Sequence, residues 1–105
     1  MIAKFLEAAK IPAKEGRYAD PPKTTFAVYF DDVETDGPDG LNWIAYHNGT
    51  VELYEPRKDA QAEKDFENQL DAAGIKYTKS SRTWVDAIQR YQVIYEFTYT
   101  EKRRT

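Results

Sequence analysis

The sequence predicts one α+β domain, residues 1–105, with a mainly antiparallel sheet of four to five strands and two helices packed on one face. Three observations lead to this prediction: the length of a single ordinary domain, two segments with helical spacing of apolar residues, and several runs that alternate like strands. The expected order is helix, strand, hairpin, helix and two strands. Because the last strand is polar on one side, we expect an antiparallel sheet with one largely wet face.

A short amphipathic helix is predicted at the N-terminus. Its apolar residues recur at the i, i+3, i+4, i+7 spacing of one helix face, and Pro12 closes the pattern. These residues are Ile2, Phe5, Leu6 and Ala9. The mixed, polar stretch that follows ends at Pro21-Pro22, which favours an extended backbone and marks a boundary before the first strand.

The first strand and a hairpin are predicted next. The run FAVYF, residues 26–30, alternates like a strand, with Phe26 and Val28 on one side and Ala27 and Tyr29 on the other. Further along, Asn48-Gly49 is the dipeptide best suited to a two-residue hairpin turn. It separates two β-rich runs, so we predict a hairpin that turns there. The runs are 43–46 and 50–54.

The second helix is predicted between Pro56 and Gly74. Asp59 is the expected N-cap and Gly74 the expected C′ residue, since these residue types favour those positions. An apolar stripe at helical spacing runs between them. It consists of Ala62, Phe66, Leu70 and Ala73.

The C-terminal third returns to a strand pattern. Residues 75–85 are predicted to form a strand with an irregular middle at Ser80-Ser81, and residues 87–100 a longer one. In the longer strand, alternate residues from Tyr91 to Tyr99 share one face. The basic end, residues 101–105, is expected to fray.

The acidic stretch DDVETDGPDG, residues 31–40, begins like a calcium-binding loop. The residues at ligand positions 1, 3 and 5 are Asp32, Glu34 and Asp36. Position 12, which needs a bidentate Glu, is Trp43, and the flanking segments are predicted strands rather than helices. We therefore predict a flexible, solvated loop over residues 31–42 and no metal site.

No catalytic residue, cofactor site or metal site is predicted, and we expect the protein not to be an enzyme. His47 is the only histidine and there is no cysteine, so one chain cannot assemble a His-based triad or zinc site. His47 is expected to lie exposed beside the turn. Glu52, Glu55 and Glu96 are expected on polar strand faces, which disfavours a carboxylate with a raised pKa. No glycine-rich phosphate loop occurs.

Charge and hydropathy indicate which classes of binding partner are disfavoured for this chain. A formal net charge of −3 disfavours nucleic-acid recognition, which uses a basic field. Four arginines with nearby Tyr and Trp could still stack on single-stranded bases: Arg82, Arg90, Arg103 and Arg104. No run approaches the roughly 20 apolar residues that cross a bilayer, and the start MIAKFLEAAKIPAK is not signal-like. We expect a soluble protein without a membrane partner.

A protein interface is the expected site. Trp84 and eight tyrosines exceed what so small a core is expected to bury. The acidic stretch and the predicted turn add polar surface. The candidate interface residues are Asp32, Glu34, Asp36, Asp39, Trp43, Asn48, Gly49 and Trp84.

Three blocks in order carry a family resemblance: FAVYF, then VELYEPRKDAQAEKDFENQLDAAGIKYTKS, then YQVIYEFTY. Over residues 24–99 the chain resembles the tail-completion, or head-to-tail joining, proteins of long-tailed bacteriophages and prophages. The resemblance lies in the order and spacing of the blocks. It implies a small α+β protein that assembles as a ring, commonly a hexamer, on the head-proximal end of the tail tube and meets the head connector. The expected locations are the host cytoplasm during assembly and the tail or neck of a virion.

Two other classes stay open. One is a small non-enzymatic protein-binding or regulatory domain of unrelated origin, which would share the fold but would not form a ring. The other is an enzyme or metal-binding domain that uses the acidic stretch. Neighbouring genes for capsid, connector and tape-measure proteins would favour the phage interpretation, and calcium titration addresses the metal-binding one.

Overall fold

The computed structural model describes residues 1–36 and 44–102, and the predicted class is confirmed: two helices and a six-stranded mixed sheet form an α+β fold. The helices are α1 (Ile2–Ala8) and α2 (Ala60–Ala72). The strands are β1 (Ala13–Glu15), β2 (Phe26–Asp36), β3 (Ile44–Glu55), β4 (Tyr77–Lys79), β5 (Thr83–Val85) and β6 (Arg90–Lys102). A short 3-10 helix, Asp86–Ile88, leads from β5 into β6.

The sheet has the order β1-β2-β3-β6-β4, and β5 pairs with another part of β6. Only β1 pairs in parallel, with β2; all the other described pairings are antiparallel. The sequence did not predict β1, because the short run Ala-Lys-Glu has no apolar alternation and becomes a strand only through its pairing with Ala27–Tyr29. The predicted broken strand at 75–85 is present as β4 and β5, with the break at Ser80–Arg82.

Both helices contribute to one core on one face of the sheet. The predicted helical stripes are confirmed at Ile2 and Leu6 of α1 and at Phe66 and Leu70 of α2, which are all buried. Ala73, the last predicted member of the second stripe, is exposed just after the end of α2. The strand residues of this core share one face of the sheet, the inner face, which consists of the odd-numbered positions of β2, β3 and β6. They include Ala27, Val51, Leu53, Val93, Tyr95 and Phe97.

The ends of α2 follow the predicted capping. The side chain of Asp59 accepts a hydrogen bond of 3.1 Å from the backbone N–H of Ala62, which satisfies one of the free donors of the first turn. At the other end Gly74 has a φ of +70°, the left-handed conformation expected just after a helix.

The acidic stretch departs from its prediction. Asp31–Asp36 continue β2 as a paired strand instead of starting a loop, and the remaining part of the predicted loop, residues 37–42, lies outside the described residues. Pairing with β3 reaches Asp36 opposite Ile44. A long partner strand therefore overrides the low β-propensity of the acids, and Asp32 and Glu34 lie exposed on the same face of the strand.

The predicted hairpin turn at Asn48-Gly49 is wrong. β3 runs through both residues, which pair with Asp32 and Asp31 of β2, and neither has a positive φ. Gly49 is needed for a different reason: a Cβ on it would lie 2.6 Å from Cε2 of Phe97 and 3.0 Å from Cδ1 of Ile2. The glycine thus permits close approach of the core to the middle of a strand.

The predicted fraying of residues 101–105 is also corrected in part. β6 extends through Glu101 and Lys102, which pair with Ala45 and Ile44 of β3. Residues 103–105 lie outside the described part of the chain.

Candidate functional site

The three longest strands share a region that we call the distal sheet: residues 31–36 of β2, 44–49 of β3 and 97–102 of β6. It collects five of the candidate interface residues, Asp32, Glu34, Asp36, Asn48 and Gly49. Asp39 and Trp43 lie outside the described residues. Trp84 belongs to β5 and pairs with Tyr91, at the opposite end of β6. The structure therefore separates Trp84 from the other candidates that it describes.

The distal sheet has one fully exposed face, which we call the outer face and which turns away from the helices. Every one of its residues with a described side chain is exposed. They are Asp32, Glu34, Ile44, Tyr46, Asn48, Thr98 and Thr100. Ile44 and Tyr46 keep 37% and 41% of their surface exposed, as does Phe30 with 37% in the next part of β2. Apolar and acidic side chains thus alternate over an uncovered sheet surface.

On the inner face His47 is buried, not exposed as predicted, with 7% of its surface accessible. Its ring stacks on Tyr99, with centroids 4.3 Å apart and planes 9° apart. Nδ1–H donates to the carboxylate of Asp31, whose oxygens lie 2.9 and 3.0 Å away. The prediction failed because it rested on the Asn-Gly turn, whereas the alternation with Ala45 and Val51 places His47 on the buried side.

Asp31 joins all three long strands on this face. Besides His47 of β3 it accepts a hydrogen bond of 3.3 Å from the Tyr99 hydroxyl of β6. Burial, followed by the charge and hydrogen bond of Asp31, raises the pKa of Tyr99. The other ring nitrogen of His47, Nε2, is buried without a hydrogen bond and lies 3.4 Å from the carboxylate of Glu101. This arrangement ties the distal sheet together across its strands.

A second polar cluster lies where β3 ends and α2 begins. Glu55 is completely buried and Glu63 is 3% exposed, which corrects the prediction that Glu55 lies on a polar face. Arg82, from the break between β4 and β5, contacts both carboxylates, and Lys79 contacts Glu63 at 2.9 Å. The signal was present in the alternation Val51, Leu53, Glu55, which continues a buried face up to Pro56.

The two buried acids have opposite pKa shifts. Burial and a hydrogen bond with Glu63 raise the pKa of Glu55. Burial opposes ionisation of Glu63 too, but hydrogen bonds with Glu55, Arg82 and Lys79 outweigh it and lower its pKa. Protonated Glu55 can then donate to ionised Glu63, and its other oxygen accepts 3.0 Å from the Asp59 N–H. Since Glu55 has no exposed surface for a substrate to reach, we interpret the cluster as a joint between sheet and helix.

Glu67 extends this joint to the sheet centre. It accepts hydrogen bonds from the Tyr95 hydroxyl at 2.6 Å and from Lys79 at 2.7 Å. Burial and the hydrogen bond to Glu67 raise the pKa of Tyr95. The other two acids considered in the sequence behave as predicted: Glu96 is exposed, and Glu52 is partly exposed and accepts a hydrogen bond from Tyr54.

A small aromatic pocket lies on the sheet face opposite the helices, under the segment before β2. It has a volume of about 280 Å³ and is lined by Tyr18, Phe26 and Tyr54, with Phe26 stacked on Tyr54 at 5.2 Å. Arg90 closes one side and donates to the backbone carbonyls of Pro22 and Lys23. Arg82 and Arg90 are therefore both engaged within the chain.

Residues 1–36 and 44–102 contain no group of three or more histidine, aspartate or glutamate side chains placed to hold a metal ion. Among the same residues, neither helix is long and apolar enough to cross a membrane. No protein-family model matches this sequence, and no curated protein matches it.

Proposed function

We propose that this protein is a structural assembly component that forms a ring on a phage or prophage tail tube and joins the tube to the head connector. The observation that carries the proposal is the outer face of the distal sheet, where Ile44 and Tyr46 are exposed among carboxylates. An uncovered sheet surface that mixes apolar and acidic side chains is typical of a protein interface.

Two further features support an assembly role over a catalytic one. The polar clusters at Asp31 and at Glu55 tie elements of the same chain together and are largely closed to solvent. The order of sequence blocks that resembles tail-completion proteins falls on β2, on the end of β3 through α2 and β4, and on β6. The blocks thus lie mainly in the other halves of the long strands, and only residues 97–99 fall within the distal sheet.

If the proposal holds, this gene lies near one for a tail-tube protein, and the test uses tail tubes assembled from that protein. The purified chain should stop tube elongation and appear in electron micrographs as a ring at one end. Ile44→Glu and Tyr46→Glu should abolish this capping, because they add charge to the outer face without touching the core. Lys64→Glu and Asn68→Glu, on the exposed side of α2, are the matched controls and should cap normally. Tubes that grow unhindered with the wild-type chain would reject the proposal.

The aromatic pocket favours a second candidate, a small non-enzymatic domain that binds an extended peptide. Tyr18, Phe26 and Tyr54 offer ring faces of the kind that hold peptide side chains, and Arg90 adds a positive charge beside them. In this case Tyr54→Ala would abolish capture of a partner from the cell of origin while Tyr46→Glu would not. The genes beside this one discriminate further, since an absence of capsid, connector and tape-measure genes would count heavily against the ring.

A further inference from the structure

The distal sheet has two edges without a strand partner in the described part of the chain. On one side, β1 pairs with β2 only at Ala27–Tyr29, and the last backbone contact there is the Gly16 N–H to the Tyr29 carbonyl. On the other side, β4 pairs with β6 only as far as Phe97. We call these the β2 edge, residues 30–36, and the β6 edge, residues 98–102. Open edges of this length are templates for strand pairing with another chain.

The charges on the two edges favour pairing of a β2 edge with a β6 edge over pairing of two β2 edges. The β2 edge presents Asp32 and Glu34 on its exposed side and has the sequence Asp-Asp-Val-Glu-Thr-Asp. Two such edges facing each other would bring like charges together, which destabilises cross-strand pairs. The β6 edge carries Thr98 and Thr100 on the same face, followed by Lys102. It therefore suits the β2 edge better than a second β2 edge does.

The existing register makes the two edges complementary row by row. Asp32, Asn48 and Thr98 lie in one row of the sheet, and Glu34, Tyr46 and Thr100 in the next. The third row ends in Asp36 and Lys102. If one sheet continued into another without a shift, Asp32 would meet Thr98 and Glu34 would meet Thr100. A shift by two residues would place Asp32 beside Thr100.

The directions of β2 and β6 determine the symmetry of a contact between copies of the chain. β2 and β6 are both antiparallel to β3, so they run parallel to each other. Joining the β6 edge of one copy to the β2 edge of the next is then a head-to-tail contact. An open chain of copies leaves one free edge at each end. Every edge has a partner only when the copies close into a ring. Pairing of identical edges would instead give a two-fold dimer.

We propose that the β6 edge of one copy pairs in parallel with the β2 edge of the next and that this seam builds the ring, an inference that rests on the proposed function for the ring itself. The occupant of each edge is a second copy of this chain. The acidic side chains on the β2 edge disfavour pairing of two β2 edges. The β6 edge places Thr98 and Thr100 beside these acids instead.

Cysteine cross-linking tests the seam, since the chain has no cysteine of its own. Facing residues on neighbouring strands have Cα atoms close enough for a disulfide. The double variant Glu34→Cys with Thr100→Cys, or Asp32→Cys with Thr100→Cys for a two-residue shift, should give a ladder of covalent oligomers that ends at the ring size. Each single variant should stay uncross-linked. Dimers from Thr100→Cys or Glu34→Cys alone, or no ladder from either double variant, would overturn the seam.

Charge exchange gives a second measurement by sedimentation. Thr98→Glu with Thr100→Glu should abolish the oligomer, because it places acids opposite Asp32 and Glu34. Adding Asp32→Lys and Glu34→Lys to the same chain should restore it. Asn68→Glu with Ala72→Glu, which adds the same charge on the exposed side of α2, should leave it intact. Rings that persist in the Thr98 and Thr100 variant would overturn the seam.

The two proposals can fail separately. A chain that caps tail tubes but shows neither cross-linked ladder would retain the proposed function and lose this seam. Conversely, a chain that forms the ladder in solution but does not stop tube growth would retain the seam and lose the phage role.

Discussion

The ring of Phe97 lies where a side chain on Gly49 would have to be: a Cβ built on Gly49 comes within 2.6 Å of Cε2 and 2.9 Å of Cζ of that ring. Both residues are buried on the inner face of paired strands, and Ile2 of α1 closes the remaining space at 3.0 Å. A glycine whose dipeptide resembles a turn signal is thus a packing residue in the middle of a strand.

Gly49→Ala is expected to destabilise the fold by about 1 to 3 kcal/mol, because the added methyl group overpacks the core against Phe97 and Ile2. Chemical denaturation monitored by circular dichroism gives the free energy of unfolding. Asn48→Ala is the matched control, since Asn48 is exposed, and it should change this free energy by less than about 0.5 kcal/mol. Equal losses from both substitutions would instead indicate a turn at this dipeptide.

Replacing Asp31 should weaken the distal sheet far more than replacing its neighbour. Asp31→Ala leaves His47 Nδ1 and the Tyr99 hydroxyl without their acceptor, which costs about 1 to 3 kcal/mol for buried donors. Asp32 is exposed on the other face, so Asp32→Ala should cost less than about 0.5 kcal/mol. Thermal unfolding of both variants at one pH makes the comparison, and similar melting temperatures would contradict it.

The Glu55 and Glu63 pair predicts a pH dependence of stability. Because the pKa of Glu55 is raised in the fold, its favourable contribution is complete below the ordinary glutamate pKa and is lost as pH rises through the raised value. The pKa of Glu63 is lowered, so its contribution is present above the ordinary value and is lost as pH falls through the lowered one. Raising the pH from mildly acidic to mildly alkaline should therefore reduce the free energy of unfolding, because Glu55 loses its proton while Glu63 stays ionised.

Glu55→Gln should remove this loss of stability at higher pH. The amide can still donate to Glu63 and accept from the Asp59 N–H, but it cannot ionise. Urea denaturation of wild type and variant at several pH values is the measurement. The wild-type free energy of unfolding should fall by about 1 to 3 kcal/mol relative to Glu55→Gln across this pH range. Parallel pH profiles of the two proteins would show that Glu55 titrates normally.

Arg82 is expected to contribute more to stability than Lys79, although both contact Glu63. Removing Arg82 leaves the buried, ionised Glu63 without one of its two cations and Glu55 without a hydrogen-bond donor, so Arg82→Ala should cost about 2 to 4 kcal/mol. Lys79 is 36% exposed, and Lys79→Ala should cost about 1 kcal/mol or less. Denaturation at neutral pH ranks the two variants, and a larger loss for Lys79→Ala would contradict the assignment of the joint.

The N-cap of α2 provides a local test of the same region. Asp59→Ala should cost about 0.5 to 2 kcal/mol, because it removes the acceptor for the Ala62 N–H and for the Thr25 hydroxyl. Asp65→Ala is the control within the same helix, since the side chain of Asp65 accepts a hydrogen bond from the exposed amide of Gln61. Its loss in the same denaturation assay should be a few tenths of a kcal/mol.

The sequence by itself determined the helices, their caps and the face of β6 that is buried. Spacing and capping chemistry are local, so Ile2 and Leu6 in α1, and Asp59 and Gly74 around α2, lie as predicted. The predicted alternation placed Glu55 on the polar face and was wrong there, since Glu55 continues the buried series of Val51 and Leu53.

Only the tertiary structure decided how far the long strands run and which residues join them. Asp31 became part of β2, His47 became buried and Gly49 became a packing residue because each is paired or covered by residues distant in sequence, namely β3, Tyr99 and Phe97. The edges of the distal sheet follow from the same cause, since β1 and β4 end before the long strands do. Such pairings depend on the partner strand rather than on the local sequence, so local patterns do not reveal them.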